Sequence, residues 1–79
     1  MYTVYVLEDE SGRYYKGMTM DFERRLKEHQ RGQTKTTRSM MNLRVVFVKI
    51  FEKSSEARDF EIYLKTAAGR RFLQKQLEY

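Results

Sequence analysis

Tyr2-Thr3-Val4-Tyr5-Val6-Leu7-Glu8-Asp9-Glu10-Ser11-Gly12-Arg13-Tyr14-Tyr15-Lys16-Gly17 is the stretch whose reading decides the fold. Residues 2–7 are β-branched, aromatic or aliphatic throughout. Residues 13–18 have a similar character with polar edges, and Glu10-Ser11-Gly12 between them carries turn chemistry. Two strands joined as a hairpin are therefore expected. Side chains alternate along a strand, so Thr3, Tyr5 and Leu7 share one face while Tyr2, Val4 and Val6 share the other. A three-residue turn closing Glu8 on Gly12 would set Tyr5 opposite Tyr15 and Thr3 opposite Gly17. Two phenols would then stand side by side, with Gly17 leaving space for a ligand or backbone to approach. Such a pair is also an ordinary cross-strand contact, stabilising a hairpin by about 0.2–1 kcal/mol.

Beyond the hairpin, residues 19–32 read as a helix. Thr19 or Asp21 can cap its start, and Arg31 with Gly32 ends it. Phe22, Arg25, Leu26 and His29 fall on one stripe at helical spacing, which puts a guanidinium and an imidazole beside the apolar side chains. Residues 33–42 form a polar loop rich in Thr and Ser, with Lys35 and Arg38 as candidate phosphate contacts and Met40 and Met41 as anchors of its far end. Residues 43–51 form the most apolar strand, read as buried on both faces and hence central or well covered. A helix follows from Ser54 to Lys65 or Thr66, with Ala57, Phe60, Leu64 and Ala68 facing inward and Glu61 misplaced among them. Gly69 is expected to break it before a short last helix over residues 70–77, which carries the basic Arg70 and Arg71. The expected fold is α+β, a small three-stranded antiparallel sheet flanked by helices in the order ββαβαα.

Seventy-nine residues allow one core, so one domain over residues 1–79 is expected. No apolar run approaches the roughly 18 residues of a membrane span, and no signal-peptide pattern opens the chain. The absence of cysteine excludes disulfides and thiolate chemistry and fits a cytoplasmic protein. A single histidine excludes a multi-histidine metal site. The 16 Lys and Arg against 11 Asp and Glu leave a net charge of +5, which favours a polyanionic partner.

Tyr5, Tyr15, Arg25 and Glu61 either break the binary pattern or add reactive groups to the sheet, and local consistency usually fails at functional sites. Together they suit phosphodiester chemistry. A carboxylate can hold Mg²⁺, a guanidinium can stabilise charge on phosphoryl oxygens, and a phenol can take a proton from water. The competing reading of Arg25 and Glu61 is a buried structural ion pair.

Thr3-Val4-Tyr5, Tyr15-Lys16-Gly17, Arg25-Leu26, His29 and Glu61, in that order, resemble the GIY-YIG nuclease superfamily, in its small stand-alone branch. The segment Tyr63 to Leu73 is similar to the tail of that branch. The resemblance implies a Mg²⁺- or Mn²⁺-dependent DNA endonuclease, structure-selective in DNA repair or recombination. It implies that Glu61 holds the metal, Arg25 stabilises the transition state and Tyr5 is general base or water-orienter, with Tyr15 the other candidate for base. Tyr15 would bind the phosphate or water, and His29 would support a tyrosine hydroxyl. Gly17, Lys35, Arg38, Arg70 and Arg71 are the expected substrate contacts, and a homodimer or partner protein would supply specificity. Thr3, Lys16 and Met18 depart from the family pattern, and Met18 stands where some relatives have a lysine that assists the base. The alternative is a non-catalytic nucleic-acid-binding module with the same fold.

Overall fold

The computed structural model describes residues 1–77. Strands β1 (Tyr2–Glu8), β2 (Tyr14–Thr19) and β3 (Arg44–Phe51) form an antiparallel sheet in the order β2-β1-β3. Helices α1 (Phe22–Gln30), α2 (Ser54–Leu64) and α3 (Ala67–Leu77) complete the ββαβαα order of an α+β fold.

The hairpin register differs from the expected one by two residues. Glu8 pairs with Tyr14, Leu7 with Tyr15 and Tyr5 with Gly17. Asp9 is the physical reason, because its side chain builds a turn longer than three residues. Oδ1 accepts from the Ser11 and Arg13 amides at 3.0 and 2.8 Å, and Oδ2 accepts from Arg13 Nε at 3.0 Å. Gly12 supplies the left-handed backbone, φ +89°, that this turn requires. A two-residue shift leaves every side chain on its original face. Tyr5, Tyr15 and Gly17 therefore stay together, and the two tyrosines meet diagonally with ring centroids 6.2 Å apart.

The central strand is β1, not β3. Val4, Val6 and Leu7 are fully buried, whereas Val45, Val48 and Ile50 on β3 are 37%, 41% and 58% exposed. Hydrophobicity alone does not say which strand pairs on both sides. β3 has one free edge, and Val48 and Ile50 lie uncovered on the face they share with Tyr5 and Thr3.

The opposite face holds the core. Val4 and Val6 meet Ala57, Leu64 and Leu73 there, ringed by Phe47, Phe51, Phe60 and Phe72. The break between α2 and α3 falls at residues 65–66 rather than at Gly69. Thr66 Oγ1 accepts from the Gly69 amide at 3.1 Å, so Thr66 caps α3. Gly69 lies inside that helix, and the position requires glycine because a Cβ there would meet the Tyr63 carbonyl oxygen. Ala68 is exposed, and Gly69 and Leu73 take the buried positions.

Backbone and polar links tie down the far end of the loop, where Met40 is half-buried. The Glu10 amide donates to the Met41 carbonyl at 2.9 Å, and Arg13 Nη2 donates to the Ser39 carbonyl at 3.2 Å. Met41 itself is 60% exposed.

Candidate active site

Asp21 caps α1 by accepting from the Arg24 amide at 3.2 Å, which fixes the helical phase of the residues that follow. Phe22 then packs on Tyr5 with centroids 5.3 Å apart, and His29 lies two turns on over the same ring. His29 is only 1% exposed. Its Nε2 is 2.8 Å from the Tyr5 hydroxyl, and its Nδ1 is 2.8 Å from Thr37 Oγ1. Tyr15 closes the group, its ring centroid 4.9 Å from that of His29.

Burial raises the Tyr5 pKa, and the positive charge of Arg25 opposes that rise. With the phenol's proton assigned to His29 Nε2, Nδ1–H donates to Thr37 Oγ1. Burial lowers the His29 pKa first and the neighbouring Arg25 lowers it further, with Glu28 opposing, so the ring is neutral near pH 7. Burial, followed by the neighbouring Tyr15, pushes the Tyr5 phenol up to about 12 despite Arg25. A buried acid that holds its proton faces a neutral base. That pairing suits concerted proton transfer rather than a standing phenolate.

The space beside Gly17 is taken by protein. A Cβ at this position would lie 2.6 Å from the Tyr5 hydroxyl oxygen and 2.9 Å from Tyr15 Cε2. The glycine admits the tyrosines themselves, where the sequence had led us to expect a ligand.

Arg25 and Glu61 do not pair with each other. Arg25 Nη1 meets Glu28 Oε1 at 3.2 Å and its side chain is 38% exposed. Glu61 Oε2 meets Lys65 Nζ at 3.5 Å, on the helix whose Ala57 and Leu64 pack against the face opposite Tyr5. Among the described residues, no hydrogen bond or ion pair joins Glu61 to Tyr5, Tyr15, Arg25 or His29. What connects the two sides is a cleft of about 410 Å³ around the outer edge of β2, lined by Tyr14, Tyr15, Lys16, Thr36, Lys65 and Arg70. Tyr15 stands in it from one side and Lys65, the partner of Glu61, from the other. Arg70 reaches this cleft. Lys35 and Arg38 are exposed on the loop that supplies Thr36, and Arg71 is exposed on α3 without lining the cleft.

Thr37, Glu28, Lys16 and Lys65 are site residues that sequence reasoning did not single out. Glu28 had a readable signal, standing one turn from Arg25. Thr37 had none beyond its place in a run of threonines.

No group of three or more His, Asp or Glu side chains converges among the described residues. Glu61, 22% exposed and engaged by Lys65, is one carboxylate beside this cleft's lining, and Glu8, next to Tyr14 and paired with Arg44, is another. One accessible carboxylate fits an ion that keeps most of its water and takes other oxygens from substrate phosphate, as Mg²⁺ does, and does not fit an all-protein cage.

A tyrosine pair on a hairpin, an arginine and histidine one turn apart on the next helix, and a later helical glutamate define a GIY-YIG nuclease domain. The GIY-YIG catalytic domain pattern matches residues 1–75, and the chain belongs to this nuclease family. Its relatives include small proteins called UPF0213. The chain is 38% identical over 63 residues to a UPF0213 protein of Streptococcus pneumoniae, covering 78% of this chain and 64% of that one. It is 38% identical over 66 residues to one from Halobacterium salinarum, covering 82% and 86%. The solution NMR structure of UPF0213 protein BH0048 from Bacillus halodurans superposes with a TM-score of 0.59 at 35% identity, covering 95% of this chain and 82% of that chain. No described helix is long and apolar enough to cross a membrane.

Proposed function

We propose that this chain, as a single nuclease domain, is a divalent-metal-dependent endonuclease that hydrolyses DNA phosphodiester bonds at the β2 edge. The observation that carries this reading is the buried chain from Tyr5 to His29 to Thr37, with Arg25 beside the phenol. A merely structural tyrosine pair does not need a neutral, fully enclosed histidine with both ring nitrogens engaged.

Exposure orders the two tyrosines. Tyr15 is half-buried and lines the cleft, while Tyr5 is 1% exposed behind it. Tyr15 takes a proton from the attacking water as it passes its own to Tyr5, and Tyr5 gives its own to His29 Nε2, so that hydroxide adds to phosphorus while the proton rests on His29. Thr37 holds Nδ1–H and so keeps Nε2 free to accept. Arg25, exposed enough to reach a bound phosphate, offers charge-assisted hydrogen bonds to the oxygens on which negative charge grows. Glu61 would hold Mg²⁺ or Mn²⁺, with Lys65 giving way. When bound, the ion supplies Lewis-acid stabilisation of the phosphate and leaving oxygen.

The net charge of +5 supports binding to DNA that is sensitive to salt. We extend the proposal to a role in repair or recombination, with specificity from DNA structure, a second copy or a partner protein. The test is incubation of plasmid, flap and overhang DNA with the purified chain. Cleavage in Mg²⁺ or Mn²⁺ that EDTA abolishes is the expected result, and intact substrates in both metals would exclude the activity.

A further inference from the structure

β2 is an edge strand, so its outer side faces solvent. Two clefts lie along that side and share Tyr14, Lys16 and Arg70. One is the cleft that contains Tyr15 and Lys65, and the other, of about 430 Å³, continues along α3 to Leu73 and Leu77. Lys16 follows Tyr15 and so projects to the opposite sheet face, away from the Tyr5–His29 group. It nevertheless reaches the same groove by way of the strand edge.

Three cations converge there. Lys16 is half-buried, and its pKa is lowered first by burial and then by Arg70 and Lys65. Arg70 Nη2 donates to the Lys65 carbonyl at 3.1 Å, which holds the guanidinium at the groove and leaves its other N–H groups for a ligand. No carboxylate pairs with Lys16 or Arg70 among the described residues. A half-buried lysine facing two other cations is costly in the free protein, and an anion of the right size relieves that cost. A solvated basic face would leave each side chain extended into water, and Lys16 is not.

We propose that Lys16, Lys65 and Arg70 form a second phosphate-binding subsite, which holds a backbone phosphate of the same DNA strand beside the one that reacts. The identity of that phosphate rests on the nuclease reading. The groove that runs from Tyr15 past Lys16 and Arg70 gives the strand its path, and Lys65 links the subsite to Glu61, its ion-pair partner at 3.5 Å. The subsite therefore sets where along the strand the reacting phosphate falls.

The test measures binding of a fluorescein-labelled DNA duplex to the full chain in EDTA, over a range of salt concentrations. Lys16→Gln and Arg70→Gln should each flatten the dependence of log affinity on log salt by about 0.9, the loss of one phosphate contact. Arg58→Gln removes the same charge from an exposed position of α2 and should leave the slope unchanged. All three positions are accessible enough for the variants to fold, which circular dichroism verifies. If Lys16→Gln and Arg70→Gln act no more strongly than Arg58→Gln, the subsite does not exist. Nicking of plasmid by the wild type in Mg²⁺ is scored separately. Nicking with no slope change overturns the subsite alone. A slope change without nicking keeps the phosphate contacts and overturns the nuclease reading.

Discussion

The Tyr5 hydroxyl and His29 Nε2 stand 2.8 Å apart in a pocket that leaves each residue only 1% exposed. This single contact ties the first strand to the first helix and couples the acidity of a phenol to that of an imidazole. Both groups are held in their neutral forms, which gives the fold a pH dependence of definite sign.

Protonating His29 would place a second cation beside Arg25 in a buried position. The folded chain therefore holds this proton less tightly than the unfolded chain, where the pKa is about 6.5. Stability from His29 is complete above that value and is lost as pH falls below it. Tyr5 acts at the other end, its contribution complete below about 10 and lost as pH rises toward about 12. Melting temperature followed from pH 8 to pH 5 should fall for the wild type and fall less for His29→Gln. Parallel curves for the two proteins would contradict this account of the site.

Thr37→Val keeps the shape of the side chain and removes the acceptor for Nδ1–H. A buried donor left without a partner costs about 1–3 kcal/mol, and denaturant unfolding should read that loss. Cleavage should fall by about 100-fold, since general-base assistance is worth about that much. Thr37→Ser, which restores the hydroxyl, should recover most of the rate. A stability loss without a rate loss would make Thr37 purely structural.

The sheet faces and the helix stripe were legible because both follow strict periods. Alternation put Tyr5, Tyr15 and Gly17 on one face even though the expected register was wrong by two, and a shift of two is invisible to alternation. The spacing of Phe22, Arg25 and His29 likewise survived folding. Strand order was not legible, because the apolar run of β3 resembles that of a strand paired on both sides, and pairing is a long-range property. Thr37 was hidden for a different reason. Its position depends on the Arg13–Ser39 and Glu10–Met41 links, which bring a loop without periodicity against the hairpin tip.

Gly17→Ala tests the close approach of the tyrosines. The added Cβ would fall 2.6 Å from the Tyr5 hydroxyl oxygen, and the phenol must swing away from His29 to make room. Overpacking of this kind costs about 1–3 kcal/mol, and cleavage should fall with it. Unchanged stability would mean that the ring has another place to go.

Arg25→Gln separates catalysis from structure. The Arg25–Glu28 pair is partly exposed and lies within one helix, so its loss should cost under about 1 kcal/mol. Loss of a donor to the reacting phosphate should lower the rate by about 100- to 1,000-fold. A large fall in melting temperature would instead favour the structural role.

Glu61→Gln offers the most direct test, because among the described residues Glu61 pairs only with Lys65 and has no hydrogen bond to the Tyr5–His29 group. The measurement is single-turnover cleavage of labelled DNA in Mn²⁺, with melting temperature and DNA affinity in EDTA recorded for the same two proteins. The proposed mechanism predicts a loss of about 100-fold or more in rate with stability and affinity unchanged. Equal cleavage by Glu61→Gln and wild type would contradict it.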